Sequence, residues 1–184
     1  MTDTIKDPDC LLPWEQEHRD ILIKKEAKSD PRHGCAPTKR SVPRLIETGI
    51  VNINKPSGPS SHQVSAYVQD ILEIDKSGHS GTLDPNVTGC LPTALMKATR
   101  ITEALLKSGK EYVCYMVIHA DYPEEKIREV VDEFRGKITQ LPPVRSAVKR
   151  QWRERNVYYL KILEISGRDV LFCVGCQAGT YIRK

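Results

Sequence analysis

Apolar residues change their spacing along the chain, and each change predicts an element. Gly49–Asn54 (GIVNIN) reads as a buried strand, closed by the turn signal Lys55-Pro56-Ser57-Gly58-Pro59. Val64, Val68, Ile71 and Leu72 then recur at i, i+4, i+7 and i+8, one face of a helix that Ser60 or Ser61 can cap. A loop over 75–90 leads to a short apolar strand, Leu91–Leu95, and a helix near Ala98–Leu106 with Ile101, Ala104 and Leu105 inward. Tyr112–His119 is rich in β-branched and aromatic residues and predicts a strand. Glu124–Arg135 predicts an amphipathic helix with Ile127, Val130, Val131 and Phe134 on one stripe and Pro123 at its start. Two late strands, about 157–165 and 169–177, are joined by Ser166-Gly167-Arg168 as in a hairpin. Strands and helices interleave without a βαβ period or an internal repeat. The predicted class is α+β, a mostly antiparallel mixed sheet flanked by helices.

Ahead of this pattern, residues 1–44 are polar and proline-punctuated, with 9 basic and 8 acidic residues. They predict an arm, with a short helix around Trp14–Lys25, and a domain over 45–184. A chain of 184 residues suits one domain with such an appendage. No apolar run approaches the length of a membrane span, and MTDTIKDPDC lacks the basic-then-apolar start of a secretory signal.

Charge changes the picture locally. The formal net charge is only +4, yet 135–155 holds seven basic residues (Arg135, Lys137, Arg145, Lys149, Arg150, Arg153, Arg155) against the single acid Glu154. A surplus of that size can neutralise several phosphates or simply form a solvated face. Of the six cysteines, Cys173 and Cys176 have CxxC spacing, but no second pair accompanies them. They lie in a strand-like apolar run where residues three apart face opposite ways, so buried strand cysteines are expected rather than a zinc or redox centre.

The loop His79-Ser80-Gly81-Thr82-Leu83-Asp84-Pro85 carries the candidate chemistry. A following proline holds Asp84 extended, and Gly81 permits close backbone approach. One carboxylate between stiff supports can be presented as a nucleophile or general base. The plain alternative is that Asp-Pro only initiates a turn.

Five segments occur in one order: GIVNINKPSGPSSHQV, SGHSGTLDPNVTGCLP, GKEYV, PPVRSAVKR and GTYIRK. Together they resemble the TruB family of pseudouridine synthases, on its archaeal and dyskerin-like branch, the catalytic subunit of box H/ACA ribonucleoproteins. The resemblance covers about residues 20–184. It implies isomerisation of uridine to pseudouridine in RNA, tRNA or guide-directed rRNA, with no cofactor and no metal. Asp84 matches the family's essential aspartate and Arg183 the arginine expected to keep it ionised. Tyr112 and Tyr181 match tyrosines that line the base pocket, and His79 the histidine that helps displace the base. Lys55 and Pro56 match the turn that supports the active loop, with Gly81 in the loop itself. Arg145, Lys149, Arg150 and Arg153 fall where relatives grip the RNA backbone.

The same resemblance implies RNA as partner, together with a box H/ACA guide RNA and small accessory proteins. It implies a cytoplasmic setting for an archaeal protein and a nucleolar one for a eukaryotic protein. Family domains continue past the Tyr-Ile-Arg motif with a helix, further strands and a PUA domain, so a chain stopping at Lys184 is expected to be partial. A non-catalytic RNA-binding or scaffold fragment is the second reading.

Overall fold

The computed structural model describes residues 10–26, 28, 30, 32–144 and 148–183. In chain order these form α1 (Pro13–Gln16), a 3-10 turn (Pro37–Lys39), α2 (Val42–Thr48), β1 (Ile50–Lys55) and α3 (Ser61–Leu72). Next come β2 (Ser77–His79), β3 (Gly89–Leu95), a 3-10 stretch (Met96–Ile101) and α4 (Thr102–Lys107). The chain ends with β4 (Lys110–Val117), α5 (Glu124–Asp132), β5 (Gly136–Gln140), β6 (Arg153–Ser166) and β7 (Asp169–Cys176). Backbone contacts divide them into two units, Ile21–Lys107 and Ser108–Lys184, the latter with the described residues up to Asp20. The class is α+β with antiparallel sheets, as the apolar pattern predicts. No helix among the described residues is long and apolar enough to cross a membrane.

In the unit Ile21–Lys107, β3 lies between β1 and β2 and runs antiparallel to both. Val64, Val68, Leu91, Ala94 and Leu95 are its buried apolar residues. Helix α3 starts at a capping box: Ser60 Oγ accepts from Gln63 N at 3.2 Å, and Gln63 Oε1 accepts from Ser60 N at 2.8 Å. Ser60 is therefore the cap, which leaves Ser61 inside the helix and 1% exposed.

The second unit holds a four-stranded antiparallel sheet in the order β4-β7-β6-β5. Val157, Val174 and Cys176 form its buried centre, with Tyr112, Cys114, Ile138, Leu160, Phe172 and Ile182 packed around it. Leu12 is buried, and the Trp14 ring meets Tyr158 edge-on with centroids 6.3 Å apart. Gly109 leaves room for that indole, since a Cβ there would stand 2.4 Å from it. Between α5 and the sheet lies an open apolar groove of about 580 Å³, lined among others by Ile127, Val131, Phe134, Leu160, Tyr181 and Ile182.

Several expectations need correction. The helix expected over Trp14–Lys25 is the single turn Pro13–Gln16, and Ile21 and Leu22 beyond it are fully open to solvent. One turn without an apolar stripe to bury does not propagate. The helix expected near Ala98–Leu106 begins as a 3-10 stretch, with Ile101 and Ala104 exposed and only Leu105 half-buried. Ile71 points to solvent although its spacing fits the α3 stripe. Helix α5 stops at Asp132, so Phe134 lies beyond it, and Val130 and Phe134 are exposed at the groove rather than buried. The Tyr-Ile-Arg motif at 181–183 lies in irregular chain and a turn. Helix α2 and strands β2 and β5 do not follow from the apolar pattern; β2 and β5 are too short for a period to show, and α2 is two turns long and straddles the end of the proline-punctuated arm.

Candidate active site

The Asp84 loop is built from three parts of its own unit. Asp84 opens a turn, with Val87 N donating to its carbonyl at 3.0 Å. Asp-Pro thus does initiate a turn, and the Asp84 that opens it is half-buried. On its C-terminal flank, the Pro85 carbonyl accepts from Gly58 N at 2.9 Å and from Lys55 Nζ at 3.1 Å. Lys55 is fully buried at the end of β1, and its ammonium also donates to the Pro56 and Pro59 carbonyls at 2.8 Å each. Three carbonyls thus satisfy the three donors of a buried cation, which a β1 turn rich in proline can offer because prolines have acceptors and no N–H. Gly58 takes φ +116°, a conformation open to glycine, and so turns its N–H onto the loop.

On the N-terminal flank, Ser61 Oγ accepts from Leu83 N at 2.9 Å and donates to the Leu83 carbonyl at 3.2 Å. One turn and two turns further along α3, Ser65 and Gln69 continue the same face. Ser65 Oγ lies 2.6 Å from Ser77 Oγ, Ser77 Oγ donates to the Ser65 carbonyl at 2.9 Å, and Gln69 Nε2 donates to Ser77 Oγ at 3.1 Å. A polar stripe at i, i+4 and i+8 therefore holds both ends of 77–83. Beside the apolar stripe it is visible in the sequence, but only as a pattern without a partner. His79 sits within this span, its Nδ1 2.7 Å from the Gly81 carbonyl. Because a carbonyl only accepts, Nδ1 carries the proton in this contact. Gly81 has φ +156°.

The remaining candidates belong to the other unit. Tyr112 is on β4 and packs against the Val157–Val174–Cys176 centre. Tyr181 lines the apolar groove, and its backbone is gripped by one side chain: Gln140 Nε2 donates to its carbonyl and Gln140 Oε1 accepts its N–H, both at 3.0 Å. Gln140 is a positioning side chain that sequence reasoning missed, since an amide at a strand end carries no signal of its partner. Arg183 is exposed in the last turn. Lys149 and Arg150 are exposed, whereas Arg153 is half-buried on β6, with Nη2 donating to the Lys149 carbonyl at 3.4 Å and Nε buried without a hydrogen-bond partner. Arg145 lies outside the described residues. Asp84, His79, Gly81, Lys55 and Pro56 thus share one unit, and Tyr112, Tyr181, Arg183 and the described basic residues share the other.

Cys173 and Cys176 both lie on β7, the first half-exposed and the second buried. Burial, with Glu111 nearby, pushes the Cys173 thiol up to about 11, and burial also raises Cys176. Thiols held protonated at neutral pH are poor nucleophiles and poor metal ligands. Among the described residues, no group of three or more His, Cys, Asp or Glu side chains could hold a metal ion.

Comparison with known proteins gives this geometry its context. Residues 69–182 match the N-terminal domain of the TruB family pseudouridylate synthases, and residues 9–65 match the DKCLD (NUC011) domain. The chain is 54% identical over 178 residues to the "Probable tRNA pseudouridine synthase B" of Methanopyrus kandleri, covering 97% of this chain and 52% of that protein. It is 56% identical over 174 residues to the protein of the same name from Pyrococcus furiosus, covering 94% of this chain and 51% of the relative. Among solved structures, a Cbf5-Nop10-Gar1 complex superposes with a TM-score of 0.86 at 55% identity, over 91% of this chain and 51% of that one. An H/ACA RNP bound to a substrate RNA containing 2′-deoxyuridine gives 0.84 at 50% identity, over 94% and 51%. The chain spans about half the length of the curated relatives it matches. It belongs to the TruB family of pseudouridine synthases, with a DKCLD segment, and is similar to archaeal Cbf5 and dyskerin-like members.

Proposed function

We propose that this chain carries the catalytic aspartate of an RNA pseudouridine synthase and isomerises uridine to pseudouridine in tRNA, or in rRNA under a guide RNA. The observation that carries this reading is Asp84, held in a turn whose two flanks are hydrogen-bonded to other elements of its unit. In the reaction the N1–C1′ bond breaks, the base turns, and a C5–C1′ bond forms. C5 loses a proton and N1 gains one, so atoms balance without a redox partner or an energy carrier. Asp84 acts as nucleophile at C1′ or C6, or as base toward the ribose; each role requires the ionised carboxylate.

A uridine within folded RNA is stacked, and its carbons are reached only after the nucleotide turns out. Tyr112 and Tyr181 are assigned to stack against the base, His79 to displace it, and Arg183 the role of its family motif, support of the ionised aspartate. Lys55, Pro56 and Gly81 hold the loop. Lys149, Arg150, Arg153 and Arg145 bind phosphates, which position RNA without reading its sequence. The partners follow from the relatives: substrate RNA, a box H/ACA guide, and small proteins like the Nop10 and Gar1 of the similar Cbf5 complex. Residues 1–44 serve as an arm to the catalytic part over 45–184, and the setting is the cytoplasm for an archaeal protein, the kind its relatives are, and the nucleolus for a eukaryotic one.

The test is Asp84→Asn with C5-tritiated uridine in RNA. Tritium release falls by roughly 10⁴-fold or more, while RNA binding survives. A variant that releases tritium at the wild-type rate would sink the assignment. Salt-sensitive RNA binding by the wild type with no product at any protein concentration would make the chain an RNA-binding scaffold instead.

A further inference from the structure

We propose that Ser61 is a positioning residue for Asp84, acting through the backbone of Leu83; this rests on the reading of Asp84 as the catalytic carboxylate. The Ser61 hydroxyl binds both polar groups of Leu83, accepting from its N–H at 2.9 Å and donating to its carbonyl at 3.2 Å. That carbonyl belongs to the peptide plane entering Asp84, so its direction sets one of the two planes from which the carboxylate projects. The other side is fixed independently. The Pro85 ring locks φ, and the Pro85 carbonyl is held by Gly58 N and Lys55 Nζ. Ser61 therefore supplies the constraint that proline cannot supply, on the side where the chain arrives from a glycine.

The anchor is itself rigid. Ser61 is 1% exposed in the first turn of α3, and Ser65 and Gln69 tie the same helix to Ser77 at the start of β2. A one-carbon side chain on a helix has little freedom to follow a drifting loop. A nucleophile that must meet one carbon of a turned-out nucleotide is sensitive to such drift, and a misplacement near 1 Å costs about 10²-fold in rate. Serine is not required for packing or for helix formation here, because alanine fills nearly the same volume and is the better helix former.

Ser61→Ala separates the two roles. The expected result is a single-turnover rate about 10²-fold below wild type with RNA affinity unchanged, and amide exchange at Leu83 about tenfold faster while the amides of α3 keep their protection. Ser61→Thr, which keeps the hydroxyl, restores the slow exchange at Leu83 and most of the rate. Wild-type rate in Ser61→Ala, or a rate loss matched by lost RNA affinity and lost protection throughout α3, overturns the proposal. Unchanged exchange at Leu83 overturns it as well. The broader reading fails separately: Asp84→Asn at the wild-type rate, or a wild-type chain without turnover, counts against it, and the exchange at Leu83 still decides whether Ser61 holds the loop.

Discussion

The loop that carries Asp84 and the turn that carries Tyr181 are each gripped by one side chain that binds the N–H and the carbonyl of a single residue. Ser61 does this to Leu83, and Gln140 does it to Tyr181. The supports differ in kind. Ser61 is short, helical and out of water, and its loop has a second anchor at Pro85 from Gly58 and a buried ammonium. Gln140 is a long, half-buried side chain on β5, an edge strand, and the turn's further support is Arg155 Nε on the Gly179 carbonyl at 3.2 Å. Hydrogen bonds screened from water are electrostatically stronger, and a short side chain loses less rotamer entropy in making them. A group that must strike one atom is held by short buried links. A ring that only has to offer a face tolerates a longer tether.

The largest expected difference between the two regions comes from Lys55. Replacing a buried ion with an apolar side chain can be neutral when its partners leave with it. In Lys55→Met the partners remain: the Pro56 and Pro59 carbonyls lose their ammonium donor, while Pro85 keeps Gly58 N–H. The expected cost is about 3 kcal/mol of unfolding free energy, read as a lower urea midpoint at constant m-value. An unchanged midpoint would mean that water replaces the ammonium, and that the Asp84 loop is no better held than the Tyr181 turn.

That ammonium also marks the limit of what the sequence discloses. The strand ending at Lys55, helix α3, the β6–β7 hairpin and the Asp84 loop were legible because each rests on a local signal: a period, a cap, or a Gly or Pro at a turn. Lys55 could be assigned to support, but its three proline carbonyls could not, because one of them lies 30 residues away. Ser61 presents as a second cap candidate beside Ser60, and only the fold shows that its partner is Leu83, 22 residues on. The α5 stripe follows from its period, yet all four of its residues line an open groove and Val130 and Phe134 are exposed there, because periodicity identifies an apolar face without saying what covers it. Strand β6 begins at Arg153, earlier than its apolar pattern suggests, which places two arginines of the basic stretch on a strand with their own protein partners.

Those arginines give a sharper form of the comparison on the Tyr181 side. Lys149 and Arg150 are exposed, whereas Arg155 spends Nε on the Gly179 carbonyl and Nη1 on the Glu154 carbonyl at 2.7 Å. Lys149→Ala with Arg150→Ala should weaken RNA binding about tenfold near 0.1 M salt and lower the salt slope by roughly 1 to 2. Arg155→Ala should leave the slope nearly unchanged and act on the turn instead. Equal slopes lost from both variants would show that Arg155 turns to phosphate when RNA binds, and that the turn is held by Gln140 alone.

The smallest expected effect belongs to Gln140→Leu. The substitution removes two hydrogen bonds to Tyr181, but leucine has nearly the volume of glutamine and faces the apolar groove that Gln140 already lines. Burial of the new methyl groups offsets part of the loss, so the net cost is about 1 kcal/mol, well under that of Lys55→Met. Amide exchange at Tyr181 should rise about tenfold, and at Leu83 it should not move. RNA affinity should fall modestly, because a stacking ring that samples more orientations loses entropy on binding and not its face. A destabilisation as large as that of Lys55→Met would put the two turns on an equal footing, and the distinction between a fixed carboxylate and a tethered ring would have to be abandoned.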